Sequence, residues 1–452
     1  MNKNVLMPSL RPGVSASRSF PHPSSRLGNL TSHPLHSLFL LCCLYLCTTA
    51  CPSLAQTADS LAYVSVSGIV RDAHTKRVLE YVNVSVPGTF IGTVTNADGR
   101  FTLKASIMPH ALEFSFVGYA NVRLELTEGK TEGYEILMRP TTNQLDEVVV
   151  TAPGARDLVE KALQRIPANY PTHPMLLTGF YRETTQKRRN YISIAEAVVD
   201  VYKTSYTQSV TFDRVRIARG RRLLSQKATD TLAVKLLGGP TLALDVDMVK
   251  NKEGLLAYED LDLYEFRMEE MEVMDDRPQY VVRFVPRYVT PDAQFSGIIY
   301  IDKERIAFTR FEFALDVSDR LKATSLLLRK KPAGLRFRPQ ECAYVISYRY
   351  VGGHTRLNYI RTTLRFRCDW HRRLFATNYT IVSEMAVTNQ QDVPSRPFTG
   401  RSAFGPRDSF YDQVTFFEDP GFWGEYNIIE PTESLEQAVD RLLRRTTSRT
   451  AR

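Results

Sequence analysis

Between Val64 and Met138, six short runs alternate apolar and polar residues. They are Val64/Val66, Val82/Val84/Val86, Phe101/Leu103/Ala105, Leu112/Phe114/Phe116, Val122/Leu124/Leu126 and Tyr134/Ile136/Met138. Successive side chains of a strand point to opposite faces, so each run offers one apolar face to a core and one polar face to water. Turn signals separate the runs, notably Asn96-Ala97-Asp98-Gly99, whose glycine is free to take the positive φ of a tight hairpin. Short strands at this spacing predict a small antiparallel β-sandwich over residues 63–140.

The order Gly68-x-Val70-x-Asp72, Val82-Asn83-Val84, Gly92-Thr93, Asp98-Gly99-x-Phe101 and Phe116-Val117-Gly118-Tyr119 resembles the carboxypeptidase-regulatory-like domain. The resemblance implies a transthyretin-like sandwich of seven strands. It also implies an accessory role, since this domain is attached to some carboxypeptidases and has no catalytic residues of its own. Gly68, Asp98, Gly99, Phe101, Gly118 and Tyr119 are accordingly expected to be turn and core residues.

A chain of 452 residues has room for two or three domains. Its formal charge is +9, but Lys3, Arg11, Arg18 and Arg26 fall in the first 55 residues, which contain no acid. Setting those four aside leaves +5, a mild excess that fits a mixed-charge surface. Four of the six cysteines, Cys42, Cys43, Cys47 and Cys51, sit in the apolar run Leu38–Ala55. A basic leader, an apolar core and the small-x-small end Ser53-Leu54-Ala55 predict a secretory signal peptide over residues 1–55, in a reading frame that also admits a start at Met7. Cleavage after Ala55 is expected rather than lipidation at Cys51, because Thr48 stands where lipoprotein signals carry leucine. The expected location is the periplasm or the outer membrane. Cys342 and Cys368 then remain in an exported chain, where they form one disulfide or stand as two buried thiols.

After the sandwich, Gln144–Ala152 is a β-rich run closed by Pro153-Gly154. It resembles the segment that joins the same sandwich to the plug of TonB-dependent outer-membrane receptors. The residues that follow are too few for a plug and a 22-stranded barrel with about 10 residues per strand. In the linker of residues 141–171, Leu158, Val159, Ala162, Leu163 and Ile166 share one helical face up to Pro171, predicting a hinge or lid helix. Strands are expected at 191–202, 210–217, 279–286, 297–302, 306–315, 323–329, 344–350, 356–367 and 375–384. They predict a larger antiparallel sheet over 172–385, curved or closed, with a faint resemblance to the half-barrels that carry lipoproteins across the periplasm. Residues 386–452 are read as an irregular excursion followed by an amphipathic helix with Leu435, Val439, Leu442 and Leu443. Ser434 and Gln437 are placed as its capping box, and a basic tail follows. The fold class is therefore mainly β.

No constellation predicts catalysis. His110-x-x-Glu113 has the spelling of a zinc pair, but it enters a strand, where residues three apart face opposite sides. His74, His173, His354 and His371 show no convergent spacing, and two cysteines alone do not make a zinc site. No nucleophile elbow or phosphate-binding glycine loop is present. No metal, cofactor or catalytic residue is expected. The acidic stretch Glu259–Asp276 lacks calcium-loop spacing and reads as a solvated hairpin face. Arg361, Arg365, Arg367, Arg372 and Arg373 interleave with Leu364, Phe366, Trp370 and Phe375. This is strand alternation, with arginines facing acids of a neighbouring strand or anions of lipid or polysaccharide; nucleic acid is not an expected partner.

The expected protein is a non-catalytic envelope protein with a sandwich for docking or adhesion. Its larger β domain would bind a ligand or partner, with an outer-membrane protein, lipid or glycan as candidates. The alternatives are a subunit of a TonB-dependent uptake complex and a hydrolase whose residues converge only in space.

Overall fold

The computed structural model describes residues 63–141, 154–370, 376–392, 403–405, 408, 410–416 and 422–450, apart from 231, 233, 237 and 254. The expected leader with Cys51 and Ala55, the Leu145–Ala152 run, His371, Arg372, Arg373 and Phe375 fall outside these residues.

Seven strands build the sandwich: β1 (Val64–Asp72), β2 (Asn83–Ser85), β3 (Gly92–Val94), β4 (Arg100–Ala105), β5 (Ala111–Ser115), β6 (Val122–Glu125) and β7 (Tyr134–Met138). One sheet runs β4-β1-β7 and the other β3-β2-β5-β6. All six alternating runs are strands. The seventh, β3, is three buried residues, too short to show a period. Phe101 and Phe114 meet edge-on at 5.2 Å in the core between the sheets. Gly68 lies where strands crowd: a Cβ there would stand 2.4 Å from the Tyr134 carbonyl oxygen. Gly99 takes φ +71° at the Asn96–Gly99 turn, a conformation strained for any other residue. Asp72 ties the motif together. Its Oδ1 accepts the N–H groups of Thr75 (2.7 Å) and His74 (2.8 Å), and its Oδ2 accepts the Tyr119 hydroxyl (2.8 Å). These bonds, led by that from Thr75 N–H, hold the carboxyl at about 2; burial and then Asp72 push Tyr119 up to about 12.

The larger sheet contains β8 (Met175–Lys187), β9 (Asn190–Lys203), β10 (Arg214–Leu224), then, past the short β11 (Lys235–Leu236), β12 (Tyr264–Met268), β13 (Glu272–Met274), β14 (Arg277–Pro286), β15 (Phe295–Asp302) and β16 (Ala307–Leu315). After β17 (Leu328–Lys330), which pairs with β11, come β18 (Leu335–Val351), β19 (His354–Trp370), β20 (Thr377–Asp392) and β21 (Thr415–Phe416). Its order is β12-β14-β15-β16-β18-β19-β20-β8-β9-β10-β21, with β13 beside β14. The sheet is open, with β12 and β21 at its edges. Every pair is antiparallel except β10 with β21.

Both faces are covered. One buries Tyr181, Val199, Phe284 and Phe311 against helices α1 (Ala155–Gln164), α2 (Ile166–Asn169) and α3 (Pro240–Asp245) and the Met248–Leu261 segment. Leu158, Val159, Ala162, Leu163 and Ile166 are all buried there, as their spacing predicts. The connector is thus built into the core rather than standing off as a hinge or lid. The opposite face carries Phe180, Val198, Tyr359 and Ala386 against the sandwich and the Phe422–Ile429 segment. Two-sided burial removes the alternation of β8 and leaves buried charges in the sheet. Arg182 Nε donates to Glu196 (2.7 Å), and Arg221 Nε donates to the other Glu196 oxygen (3.0 Å). On the helix-covered face Lys203 meets Asp247 (2.7 Å) and Lys250 meets Asp213 (2.8 Å).

Three local expectations are corrected. The strand expected over 323–329 is helical through residue 327 and strand only from 328, in β17: Asp319 Oδ1 accepts the N–H groups of Leu321 and Lys322 and caps α4 (Arg320–Leu327). The excursion expected from 386 begins later, because β20 continues to Asp392. A short helix, α5 (Phe410–Gln413), follows. The cap of α6 (Glu433–Thr450) is Thr432 rather than Ser434, since Thr432 Oγ1 accepts the Leu435 N–H (3.2 Å).

Cys342 and Cys368 are free buried thiols, which removes the disulfide alternative. β18 and β19 pair Cys342 with Leu364, four residues from Cys368. Four residues of strand span about 13 Å, well beyond the roughly 7 Å limit for a bridge. Burial pushes each thiol up to about 11. The arginine run alternates as expected: Leu364, Phe366 and Cys368 face the core while Arg365 pairs with Glu341 at 3.0 Å.

Candidate functional site at the sandwich–sheet seam

The sandwich is fastened to the larger sheet along two lines. Along the first, residues 427–433 lie against the sandwich rim. Asn427 grips the backbone of Lys104 in both directions, accepting its N–H (2.6 Å) and donating to its carbonyl (2.8 Å). Thr93 Oγ1 donates to the Ile428 carbonyl (2.9 Å), and Asn96 Nδ2 to that of Pro431 (3.0 Å). Asp98 Oδ2 accepts the Glu433 N–H at the start of α6 (2.7 Å). Asn96 and Asp98, expected only as turn residues, therefore also hold the C-terminal segment. Trp423 fills the space behind, edge-on to Phe180 at 5.3 Å and under the Arg221 guanidinium at 4.7 Å.

The second line is the β13–β14 hairpin. Asp275 and Asp276 form its tip with φ of 54° and 53°, the left-handed pair of a tight hairpin. Gly118 N–H donates to the Val273 carbonyl (2.8 Å), and Asn121 N–H to Asp276 Oδ1 (2.9 Å). Part of the acidic stretch is thus a docking element rather than a solvated face. Tyr81 stacks on Tyr359 at 5.6 Å, extending the contact.

Beside the second line is a cleft of about 310 Å³. Its sandwich wall carries Asn83, Glu113, Ser115 and Asn121; its sheet wall carries Asp275, Arg277, Arg305 and Arg349, with Tyr350 at the rim. The sheet side is largely self-satisfied. Asp302 takes Arg305 at 3.1 Å, and Thr309 donates to Gln279 Oε1 at 2.7 Å. The sandwich side is not: Asn83 Oδ1 and Asn121 Oδ1 are buried acceptors with no partner. Arg349 donates to the Thr89 carbonyl (3.3 Å) and lines the cleft with Asp275 and Glu113. Burial lowers Arg349, opposed by Asp275 and Glu113; burial likewise raises Asp275, opposed by the Ser115 hydroxyl and Arg349. Buried polar groups that lack a partner cost about 1–3 kcal/mol each, so such a wall favours a ligand that supplies hydroxyl donors.

Of the residues singled out by sequence, Gly68, Gly99 and Phe101 are structural in the sandwich. Gly118 and Asp98 reach across the seam, while Tyr119 works through Asp72. Glu113 lines the cleft and pairs with Arg123, while His110 is exposed. His173 and His354, which showed no convergent spacing, come together with ring centroids 6.4 Å apart. Among the described residues no group of three or more His, Cys, Asp or Glu is placed to hold a metal ion.

The strand order, the Asp72–Tyr119 tie and the glycine turns define a carboxypeptidase-regulatory-like sandwich, and residues 66–150 match the family model described as CarboxypepD_reg-like domain. The same part of the chain is similar to two TonB-dependent receptors. It is 29% identical over 90 residues to TonB-dependent receptor P3 of Formosa agariphila, and 35% identical over 91 residues to TonB-dependent receptor SusC of Bacteroides thetaiotaomicron. Each match covers 20% of this chain and 9% or 8% of the receptor, so the likeness is to one domain of much longer proteins. Among solved structures, a LolA superfamily protein from Nitrosomonas europaea is 12% identical, covering 54% of this chain and 96% of its own. The TM-score of that match is 0.19.

Proposed function

We propose that this is a non-catalytic cell-envelope protein that binds a small polyhydroxylated ligand, a glycan unit, in the seam between its sandwich and its larger sheet. The observation that carries the reading is the pair of orphaned buried acceptors, Asn83 Oδ1 and Asn121 Oδ1, on residues that line one cleft together with Arg349. The volume lies at the lower end of the range for small-molecule sites, and the mixed donors and acceptors suit a sugar better than an apolar ligand. The helix-covered face of the sheet, where an apolar ligand would otherwise lie, is filled by α1, α3 and the Met248–Leu261 segment. The envelope setting draws on the sandwich shared with TonB-dependent receptors and on the exported character of the leader. No helix among the described residues is long and apolar enough to cross a membrane.

Saturation-transfer NMR on the whole chain with neutral mono- and disaccharides tests this reading. At least one sugar is expected to give a saturable signal that R349M weakens at least tenfold. No saturable signal from any sugar sinks it. A second reading, a subunit working beside a TonB-dependent receptor, is favoured by the matched 90-residue segment. It predicts co-purification with a barrel protein from outer membranes, whether or not a sugar binds.

A further inference from the structure

A second pocket, of about 350 Å³, lies away from the seam, at the β8–β9 turn. It is walled by that turn, the start of β20, the Ser225–Asp230 loop and Arg441 and Leu442 of α6. Its charge is one-sided: Lys187, Arg188, Lys227 and Arg441 line it against one acid, Asp230, a balance of +3. Asp230 is already engaged, by the Ser225 hydroxyl at 2.6 Å and by Lys187 at 3.5 Å. Among the described residues Arg188 and Lys227 pair with no carboxylate, and Arg441 reaches only the Asn190 amide oxygen at 3.4 Å.

The backbone adds a second observation. The two-residue β8–β9 turn puts Arg188 at φ 59°, a place that favours glycine. An arginine held in the left-handed region costs about 1–2 kcal/mol, and here the residue lines the cationic pocket. The remaining neutral donors on the lining, the Thr377 hydroxyl and the Asn190 amide NH2, are of the kind that bond anionic oxygens.

We infer that this pocket is a phosphate-binding site, independent of the seam. A phosphate group, with several oxygens and one or two charges, matches the fork of Arg188 and the point charges of Lys187 and Lys227 better than a single carboxylate does. The phosphate is borne by a soluble ester or by a lipid headgroup.

Calorimetric titration of the full chain with glycerol 3-phosphate at low ionic strength, together with sedimentation with vesicles, tests the inference. Expected is saturable binding that weakens as salt rises and falls at least tenfold in R188E/K227E. Both residues are exposed, so the variant keeps the wild-type melting temperature and a loss of binding is not a loss of fold. Sedimentation with phosphatidylglycerol but not phosphatidylcholine vesicles, reversed by glycerol 3-phosphate, assigns a lipid headgroup. Binding of the ester without sedimentation assigns a soluble phosphate. Saturation by neither probe, or equal binding by wild type and R188E/K227E, overturns the site.

Discussion

Replacing Trp423 with alanine would release the seam from behind, and the structure sets the size of the effect. The side chain is 5% exposed and lies between Phe180 at 5.3 Å, Phe422 at 4.9 Å and the Arg221 guanidinium at 4.7 Å. Truncating a buried tryptophan to alanine costs about 3–5 kcal/mol, and losing its ring and cation contacts places W423A near the upper half of that range. Phenylalanine should behave differently. Trp423 Nε1–H is buried without an acceptor, a defect worth about 1–3 kcal/mol that W423F removes while keeping an aromatic face. The predicted order is therefore wild type close to W423F, both well above W423A. Urea unfolding followed by far-ultraviolet circular dichroism reads all three, and W423A should also split the transition as the sandwich uncouples. W423A within about 1 kcal/mol of wild type, with one transition, would refute the clamp.

Other changes follow from buried charges and thiols. Glu196→Gln leaves Arg182 and Arg221 buried without their carboxylate and should cost about 3–5 kcal/mol by urea unfolding. Burial raises Glu196, but the two guanidinium groups outweigh it and its carboxyl is lowered. Its contribution should thus be full above the unfolded value of about 4.3 and be lost as pH falls below that. Asp245 has the opposite sign: burial, then Asp213 and Glu253, raise its carboxyl to about 6. The stability it lends is complete below the unfolded value near 3.9 and is lost as pH rises through 6. Allowing for partial solvent screening, Asp245→Asn should gain about 1 kcal/mol at pH 7.5 and nothing at pH 4, measured as urea midpoints. Alkylation and peptide mapping without reductant should label Cys342 and Cys368 only after unfolding; resistance of either after unfolding would show a bridge.

The sandwich was legible because each of its longer strands has one wet face and one dry face, and because Gly99 and Asp98 mark its tightest turn. Where a strand is covered on both sides, that signal disappears. β8 buries Tyr181 on one face and Phe180 and Arg182 on the other, so Met175–Lys187 shows no period to read. Residues 323–327 misled in the opposite direction, since a run of leucines suits a strand until Asp319 caps it as a helix. The connector stripe was readable as a helix, but nothing local told that its apolar face would meet Phe284 and Phe308.

The cleft was not legible. Asn83, Asn121, Asp275 and Arg349 are spread over most of the described chain and share no motif. The signals near them, the Val82-Asn83-Val84 motif, the Phe116–Tyr119 motif beside Asn121 and the acidic stretch ending at Asp276, all read as structure. The basic pocket had a partial signal in Arg441 and the cationic tail, but Lys187, Arg188 and Lys227 join it only through the turn and loop geometry.

Sandwich, sheet and C-terminal segment are expected to open as one unit, which hydrogen exchange reads amide by amide. Four backbone N–H groups donate across the seam: Lys104 to Asn427, Glu433 to Asp98, Gly118 to Val273 and Asn121 to Asp276. The account predicts that these amides exchange as slowly as those of β18 and β19 in the centre of the larger sheet, through global unfolding. Fast exchange at all four, with the amides of the central strands still protected, would show that the sandwich swings free and would contradict the seam.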